Sequence, residues 1–364
     1  MKRVPSAKHS LIAKAAHTGL ITTAALALAA ASAGTSFAST TIQETGSSLL
    51  YPLFNLWVPA YSKIQPNVQI NSASTGSGTG ISQSIAGNVQ LGASDAYLSN
   101  AMMSKHPHML NIPVAISSQM VNYNVPGLNG KHLKLSGPVL AEIYEGKVKY
   151  WDASAIHRMN AGVNLPHKRI IPVHRSDGSG DTFLFTQFLS FSTPSWKRHI
   201  GYGTAVAWPA VQGEIGATGN PGMVQAIKDN PYSIAYIGIS YKNHIDKLNL
   251  GEAALKNRAG HFVLPTVKTV PAAAAGMVPK TPKDERISLI FAPGRNAYPI
   301  INYEYTIVNA NQPDADTAKA VKKFLSWAVK VDGGNAPQFL NPVHFMPLPP
   351  KAARLTEEQI SKIH

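Results

Sequence analysis

The apolar residues of this chain form short runs. Along the chain, their spacing alternates between the pattern typical of strands and the pattern typical of helices. Apolar and β-branched runs predict strands at 41–43, 68–71, 89–95, 114–124, 170–173, 234–240 and 300–309. Helical spacing predicts helices at 50–64, 81–86, 139–144, 182–189, 222–228 and 314–331. In the last of these, Ala318, Val321, Leu325 and Ala328 share one face. Strands that alternate with helices indicate an α/β fold.

The N-terminal segment has the pattern of a secretory signal peptide rather than of a folded element. Lys2, Arg3, Lys8 and Lys14 give a basic start, and an apolar run follows over 20–33. Ser36-Phe37-Ala38 is a small-x-small cleavage site. A membrane anchor is the alternative, but the apolar core is short and no later stretch reaches the ~20 apolar residues of a spanning helix. We therefore expect residues 1–38 to be removed from an exported, soluble protein.

The amino-acid composition limits where in the cell the protein can act and which types of site it can contain. The chain has no cysteine, which excludes disulfides, thiolate metal sites, a cysteine nucleophile and a lipid-modified N-terminal cysteine. Without a tether, a periplasm is the expected location. The formal net charge is +14, and four of the positive charges precede residue 39. A basic protein attracts anions, but the Lys and Arg residues are scattered, so a small anion fits better than nucleic acid.

The most informative stretch for function runs from residue 174 to residue 185, HRSDGSGDTFLF. Ser179 and Gly180 stand where a helix should begin, so that free N–H groups and the positive helix end face one spot. Arg175 adds a charge with forked donors. This pattern predicts an oxyanion-binding corner. Asp177 and Asp181 are unexpected in a plain anion site and require an explanation.

Three further segments carry candidate ligand groups. Ser77 lies in the glycine-rich loop 76–80 before a helix, where a helix-capping role is the alternative. Asp95 ends a strand and is either a turn-capping or a ligand-facing carboxylate. The N–H groups of Leu49, Leu50 and Tyr51 open the first helix, although their side chains suit core packing. No Gly-Lys-Ser/Thr follows the loop, so it is not a nucleotide-binding P-loop.

Catalytic and metal functions have little support in the sequence. Neither Ser77 nor Ser179 lies in a Gly-x-Ser-x-Gly nucleophile elbow, and His174 is the only base near either motif. His106 and His108 flank a proline without any known metal-ligand spacing. We therefore predict no enzyme activity, no metal and no cofactor.

Several motifs, taken in order, resemble the phosphate-binding proteins of bacterial ABC phosphate importers. They are TGSSLLYP (45–52), TGSGTGI (75–81), LGASDA (91–96), IYEGKVKYWD (143–152), the 174–185 stretch and YPIINYEY (298–305). The SGDTF form looks most like the actinobacterial branch. The resemblance implies a two-lobed periplasmic-binding-protein-like fold of type II, with two α/β lobes joined by a two-strand hinge. Lobe I would comprise 39–118 and a return segment at 300–364, and lobe II 119–299, with crossings near 117–125 and 298–309.

The resemblance also implies a set of phosphate-binding residues: Leu49, Leu50, Tyr51, Ser77, Asp95, Arg175, Ser179, Gly180 and Asp181. Ser48, Gly78 and Asp177 would support them, with Asp177 orienting Arg175. Asp95 would accept a hydrogen bond from protonated phosphate and repel fully ionised sulfate. Leu50 departs from relatives with Thr there, and Ser48 could replace that hydroxyl. Asp181 replaces a common Thr, and either accepts a second ligand proton or caps its helix.

The resemblance finally implies a function. The protein would bind inorganic phosphate in the periplasm as a monomer and deliver it to the integral-membrane permease subunits of an ABC importer. A binding protein for sulfate or molybdate is the alternative within the fold. A serine-dependent phosphatase or hydrolase is the alternative outside it.

Overall fold

The computed structural model of the protein describes residues Ser39–His364. The proposed signal peptide, 1–38, lies outside the described residues. Within the described part, none of the helices has the length and apolar character needed to span a membrane.

Strands and helices alternate along the chain, as the hydrophobic pattern predicts. The strands are β1 Thr40–Gly46, β2 Val68–Ser74, β3 Leu91–Ser94, β4 Met109–Asn124, β5 Lys134–Leu135, β6 Ile171–Arg175, β7 Ile215–Ala217, β8 Ser233–Gly238, β9 Gly251–Glu252, β10 Ala254–Lys256, β11 Phe262–Val263 and β12 Ile301–Asn309. The helices are α1 Tyr51–Ile64, α2 Ser77–Ile85, α3 Asn100–Lys105, α4 Gly137–Tyr144, α5 Ser154–His157, α6 Gly180–Ser192, α7 Pro194–His199, α8 Gly219–Asp229, α9 Lys242–Lys247, α10 Thr269–Met277, α11 Ala315–Val329, α12 Pro337–Leu340 and α13 Pro350–Ser361.

One nine-stranded sheet organises the molecule, in the order β2-β1-β3-β12-β4-β8-β6-β7, with β9 also paired to β4. The pairs β1–β2, β1–β3, β6–β8 and β6–β7 are parallel, whereas β12 is antiparallel to both β3 and β4. A separate three-stranded sheet joins β11, β10 and β5. The α/β prediction is therefore confirmed. Parallel strands end at a common edge, and in such sheets ligands bind beyond that carboxyl edge.

The long strand β4 changes partner half-way along. It pairs with β12 from Met109 to Ser118, and with β8 from Gln119 to Asn124. All but its last residue are buried, as expected for a strand covered on both faces. Its second partner follows about 110 residues later, so β4 connects two groups of parallel strands that each carry their own helices.

The core on the N-terminal side of the sheet is built around α1. Phe54, Trp57 and Tyr61 repeat with helical spacing, and their rings meet Phe324 of α11 at centroid distances of 5.1 to 6.2 Å. The Trp57 indole N–H donates to the carbonyl of Gly334 at 2.8 Å, so that burial leaves no unsatisfied donor. The apolar face predicted for the 314–331 helix is buried and confirmed.

Element boundaries differ from the sequence prediction in a few places. Helix α2 begins at Ser77 instead of residue 81, because its glycines adopt helical geometry where the chain approaches β1 and β3 closely. Strand β4 begins at Met109, five residues before the predicted start. Helix α13, which begins at Pro350 and covers β4, is not indicated by the hydrophobic pattern used for the other helices.

Candidate functional site

The 174–185 stretch forms a strand–turn–helix corner. Strand β6 ends at Arg175, and α6 begins at Gly180. Ser179 has extended dihedrals, and its hydroxyl accepts a hydrogen bond from the N–H of Thr182 at 3.2 Å, which makes it the N-cap. The positive end of a 13-residue helix therefore lies at Gly180 and Asp181. The local sequence, a cap residue before an apolar run, is sufficient to produce this corner.

Three segments of the N-terminal region converge opposite that corner, where β1, β2 and β3 end. They are the turn after Gly46, the loop that leads into α2 at Ser77, and Asp95 directly after β3. Gly46 has φ of 143°, and a Cβ on it would lie 2.0 Å from the carbonyl oxygen of Ala93. Only glycine permits so close an approach. Gly80 of α2 approaches the same carbonyl, where a Cβ would lie 2.5 Å from the oxygen, so the helix that begins at Ser77 lies against the end of β3.

The corner and the facing segments touch through backbone atoms. The N–H of Gly78 donates to the carbonyl of Gly178 at 2.8 Å. A Cβ on Gly78 would lie 3.0 Å from the Cα of Gly178, and one on Gly180 would lie 2.2 Å from Oδ2 of Asp95 and 2.5 Å from Oγ of Ser77. Glycines on both sides therefore allow the two surfaces to meet directly.

Arg175 is held by both acids of the motif. Its Nε donates to Oδ1 of Asp177 at 2.6 Å and its Nη2 donates to Oδ2, a two-pronged pair that fixes the guanidinium plane. Its Nη1 donates to Oδ2 of Asp181 at 3.0 Å. The Arg175 side chain is 1% exposed, and its carboxylate partners raise its pKa despite burial. The guanidinium is therefore charged at every physiological pH.

Asp181 lies within a cage of donors. Besides Arg175, its carboxylate accepts from Nε2 of Gln119 at 3.0 Å and from Nδ2 of Asn220 at 2.6 Å. Burial raises the pKa of Asp181, while Arg175 and the two amides oppose that rise. The carboxyl of Asp181 is thus bound by side chains rather than by the N–H groups of its own helix.

Asp95 is the buried acid on the opposite side of the contact. Ser47 donates to its Oδ1, and Ser77 donates to its Oδ2 at 3.3 Å. The hydroxyl of Ser77 also accepts the N–H of Asp95 at 3.2 Å. Burial, reinforced by the charge of Asp181, raises the pKa of Asp95 to about 7. Its charge therefore depends on pH close to neutrality.

The charge balance of the site is unusual for an anion site. Asp95, Asp177 and Asp181 outnumber the one guanidinium, Arg175, and all four side chains are largely buried. A fully ionised anion would be repelled here unless protons lie between it and the carboxylates. The arrangement instead suits an anion that brings its own protons, because each carboxylate can accept a hydrogen bond from a ligand hydroxyl.

The start of α1 is engaged differently from the sequence expectation. The N–H groups of Leu49 and Leu50 donate to Oγ of Ser47 at 3.1 and 3.0 Å, and that of Tyr51 donates to the Ser47 carbonyl at 3.0 Å. Ser48 accepts from the backbone N–H and from Nδ2 of Asn220, both at 3.0 Å. Ser48 thus links the start of this helix to the other side, and the carbonyl of Leu49 adds a second link by accepting from the hydroxyl of Ser240 at 2.8 Å.

The structure brings the predicted residues together, and it places four further residues beside them. These are Ser47, Gln119, Asn220 and Glu304. Ser47 and Glu304 lie inside the motifs at 45–52 and 298–305, which are a signal for both. Asn220 follows Thr218 and Gly219 at a helix start, which is a usable signal. Nothing local distinguishes Gln119.

The histidine at the motif has a packing role. The ring of His174 stacks on Trp208 with centroids 5.0 Å apart, and its Nδ1 meets the carbonyl of Arg175 at 3.1 Å. Between Ser39 and His364, no three His, Cys, Asp or Glu side chains are grouped as metal ligands would be.

Comparison with known proteins identifies the family. The model of the PBP superfamily domain matches residues 31–331. The phosphate-binding protein PstS of Pasteurella multocida is 35% identical, covering 89% of this chain and 88% of that protein, and PstS of Methanocaldococcus jannaschii is 34% identical, covering 88% and 86%. The chain belongs to the PstS family of phosphate-binding proteins. PstS 3 of Mycobacterium leprae is 29% identical, covering 85% of this chain and 83% of that protein.

Solved structures agree on the fold of this PstS family member. A high-affinity periplasmic phosphate-binding protein solved with bound phosphate superposes with a TM-score of 0.69, at 20% identity, over 88% of this chain and 92% of that one. A phosphate-binding protein from Stenotrophomonas maltophilia gives 0.66 at 20% identity, over 88% and 93%. The two-lobed periplasmic-binding-protein fold predicted from the motifs is confirmed.

Proposed function

We propose that this protein binds inorganic phosphate between its two lobes and delivers it to an ABC-type permease. The observation that carries this proposal is the buried Asp95. Hydrogen bonded by Ser47 and Ser77, it faces Gly180 at the positive end of α6. Helix dipole, hydroxyls and N–H groups favour an anion there, whereas the carboxylate requires that the anion carry a proton.

That requirement separates phosphate from its closest competitors. Phosphate keeps at least one proton near neutral pH, and sulfate and molybdate keep none. A protonated oxygen of phosphate can donate to Asp95, but an ionised oxygen of sulfate there places two acceptors against each other at a cost of several kcal/mol. Sulfate and molybdate therefore remain the weaker alternatives within this fold.

The proposed ligand contacts come from both sides of the cleft. They are Leu49, Leu50, Tyr51, Ser77, Asp95, Arg175, Ser179, Gly180 and Asp181, supported by Ser48, Gly78 and Asp177. The N–H groups of Leu49 and Leu50 now donate to Ser47, so ligand binding would require them to exchange that hydroxyl for a phosphate oxygen. Asp181 accepts donors from Arg175 and Asn220, which supports a role in balancing the charge of Arg175.

We place the lobe boundaries where strand pairing changes. Lobe I comprises 39–118 and 300–364, and lobe II comprises 119–299. The exchange of partners on β4 between Ser118 and Gln119 supports the first boundary, and the hydrogen bond from Gln119 to the carbonyl of Ile300 supports the second. Opening about these two crossings would separate Gly78 from Gly178 and admit the ligand.

Partners and location follow from the same function. We propose that residues 1–38 direct export and are removed, that the protein acts in the periplasm as a monomer, and that membrane permease subunits receive the phosphate. A hydrolytic function has less support. The Ser179 hydroxyl accepts the Thr182 N–H, and Ser77 is bound to Asp95 rather than to a histidine. Turnover of a chromogenic phosphate ester by the pure protein would reverse this conclusion.

The test is calorimetric titration of phosphate and sulfate into the mature protein and its Asp95→Asn variant, after bound ligand is removed by partial unfolding. We expect the wild type to bind phosphate tightly and sulfate poorly. The amide introduced by Asp95→Asn can donate to an ionised oxygen, so the variant should discriminate at least about tenfold less, since a hydrogen bond to a charged group is worth about 1.5–3 kcal/mol. Absence of phosphate binding by the wild type would refute the proposal.

A further inference from the structure

The carboxyl of Glu304 lies in the interior directly beside Asp95. Glu304 is on β12, and its side chain is fully buried. Ser117 of β4 donates to its Oε1, and Nδ2 of Asn302 donates to the same oxygen at 2.9 Å. The other oxygen, Oε2, is buried and meets no donor among the described residues. A buried carboxylate oxygen without a donor is costly, so this atom requires a proton or a partner.

Asp95 supplies that partner if Glu304 carries the proton. Tyr305 of β12 pairs with Ser94 of β3, and this antiparallel register sets Glu304 beside Asp95. Their contact raises the pKa of Glu304 and lowers that of Asp95. Burial and the charge of Asp95 together hold the pKa of Glu304 well above its usual range. Two adjacent buried carboxyls cannot both be ionised at low cost. Each oxygen of Asp95 already accepts from a serine hydroxyl, whereas Oε2 of Glu304 has no donor and is the atom that needs the proton. The donor of the pair is therefore Glu304.

The other charged groups near Asp95 and Glu304 also act on the position of the shared proton. Asp181 raises the pKa of Asp95, and Arg175 lowers it. Both reach Asp95 from the far side of the cleft, on α6 and β6, while Glu304 adjoins it from β12. Within the described residues, the charges acting on the proton are thus those of Asp95, Asp181 and Arg175.

From this geometry we infer that Glu304 determines ligand specificity by positioning Asp95. It keeps its proton and donates a hydrogen bond through that proton to Asp95. Once ionised, Asp95 is then a pure acceptor: it takes hydrogen bonds from Ser47 and Ser77, and a ligand oxygen that meets it must bring a proton of its own. The inference rests on the proposed function for its ligand, phosphate. It predicts that discrimination against sulfate depends on a donor at position 304, although residue 304 need not touch the ligand.

The consequence is tested with two variants of similar volume. Glu304→Gln keeps a donor toward Asp95, whereas Glu304→Met removes it. Without the donor, the pKa of Asp95 rises above about 7, so that Asp95 takes a proton of its own and can donate to sulfate. We expect Glu304→Met to lower the ratio of the sulfate Kd to the phosphate Kd at about pH 7 by roughly tenfold. Glu304→Gln should retain the wild-type ratio.

The pH profile separates this role from a merely structural one. In Glu304→Met the ratio should recover as the pH rises and Asp95 ionises, whereas a packing defect would lower affinity at every pH. Asp95→Asn serves as the reference for discrimination lost at all pH values. The inference is overturned if Glu304→Met keeps the wild-type ratio throughout, or if Glu304→Gln loses as much discrimination as Glu304→Met.

An infrared measurement tests the proton without any ligand. The wild type near neutral pH should show the carbonyl stretching band of a buried, protonated carboxylic acid, and the difference spectrum against Glu304→Gln should assign it to residue 304. A difference spectrum without that band would overturn the inference even if phosphate binds. If the difference spectrum shows the band but the wild type does not bind phosphate, the proposed function fails and the protonated Glu304 stands.

Discussion

Replacement of Gly180 by alanine should separate ligand binding from folding. Gly180 is the first residue of α6, and it is not among the described glycines with positive φ, so an alanine fits its backbone without strain. Its Cα faces the opposite lobe, where a Cβ would lie 2.2 Å from Oδ2 of Asp95 and 2.5 Å from Oγ of Ser77. Neither atom can retreat easily, because both side chains are buried and hydrogen bonded to each other.

The expected loss of phosphate affinity in Gly180→Ala follows from what the added methyl group does in the open form and in the closed form. In the open form that the proposed function requires, the two lobes would be apart and the methyl group would meet nothing of the opposite lobe. There, alanine favours the helix over glycine by up to about 1 kcal/mol. In the closed form, overpacking costs about 1–3 kcal/mol. Since every 1.4 kcal/mol is tenfold in affinity, we expect phosphate binding to weaken by about 5- to 150-fold.

Two assays on the same samples test this expectation. Thermal unfolding without ligand should show Gly180→Ala at least as stable as the wild type, and calorimetry should show the weaker phosphate binding. Gly130→Ala is a matched control, because a Cβ there meets no atom within 4 Å and its φ is not positive. Wild-type affinity in Gly180→Ala would contradict the closed contact as the ligand-bound arrangement.

Three further predictions follow from the hydrogen bonds and buried acids. Ser48→Ala removes the acceptor for both the backbone N–H and the Nδ2 group of Asn220. It should weaken phosphate binding by about fivefold in calorimetry, as expected for a loss of about 1 kcal/mol in the closed form. The unfolding temperature of the ligand-free protein should not change. Burial raises the pKa of Asp181, so as the pH increases its proton is lost and a negative charge appears. Phosphate affinity should therefore decline with pH more in the wild type than in Asp181→Thr. Identical profiles of affinity against pH in the two proteins would refute a titrating role. Burial raises the pKa of Glu285 to about 9, so the folded protein binds this proton more tightly than the unfolded chain. Stability should therefore fall from about pH 5 to about pH 9. Glu285→Gln should flatten that fall when the unfolding temperature is measured against pH, whereas a variant curve that runs parallel to the wild-type curve would argue against the titration of Glu285.

Local sequence accounts for the parts of the site that are built within a few residues. The cap at Ser179, the start of α6 and the pair of Arg175 with Asp177 involve neighbours in the chain, and each has a known local signature. The same holds for the amphipathic face of α11, whose spacing matches its buried positions. Such features depend on side-chain order alone, and no tertiary information is needed to predict them.

The remaining parts of the site depend on contacts between distant segments. Gln119 and Asn220 reach Asp181 from β4 and α8, and Glu304 reaches Asp95 from β12, on elements whose apolar patterns indicate only a strand or a helix. The short strands, such as β5 and β9, have two residues each, too few for any periodicity. They form because a partner strand lies alongside.

The order of strands in the large sheet has a consequence for how the protein is made. Strand β12 lies between β3 and β4 in the sheet, yet it is synthesised about 180 residues after β4. Until β12 is available, one edge of β3 and most of β4 lack their partner, while β6, β7 and β8 can already pair. Non-local pairing of this kind is slow, so a nascent chain should stay incompletely folded until the segment that contains β12 has been synthesised, a state compatible with the export that we propose.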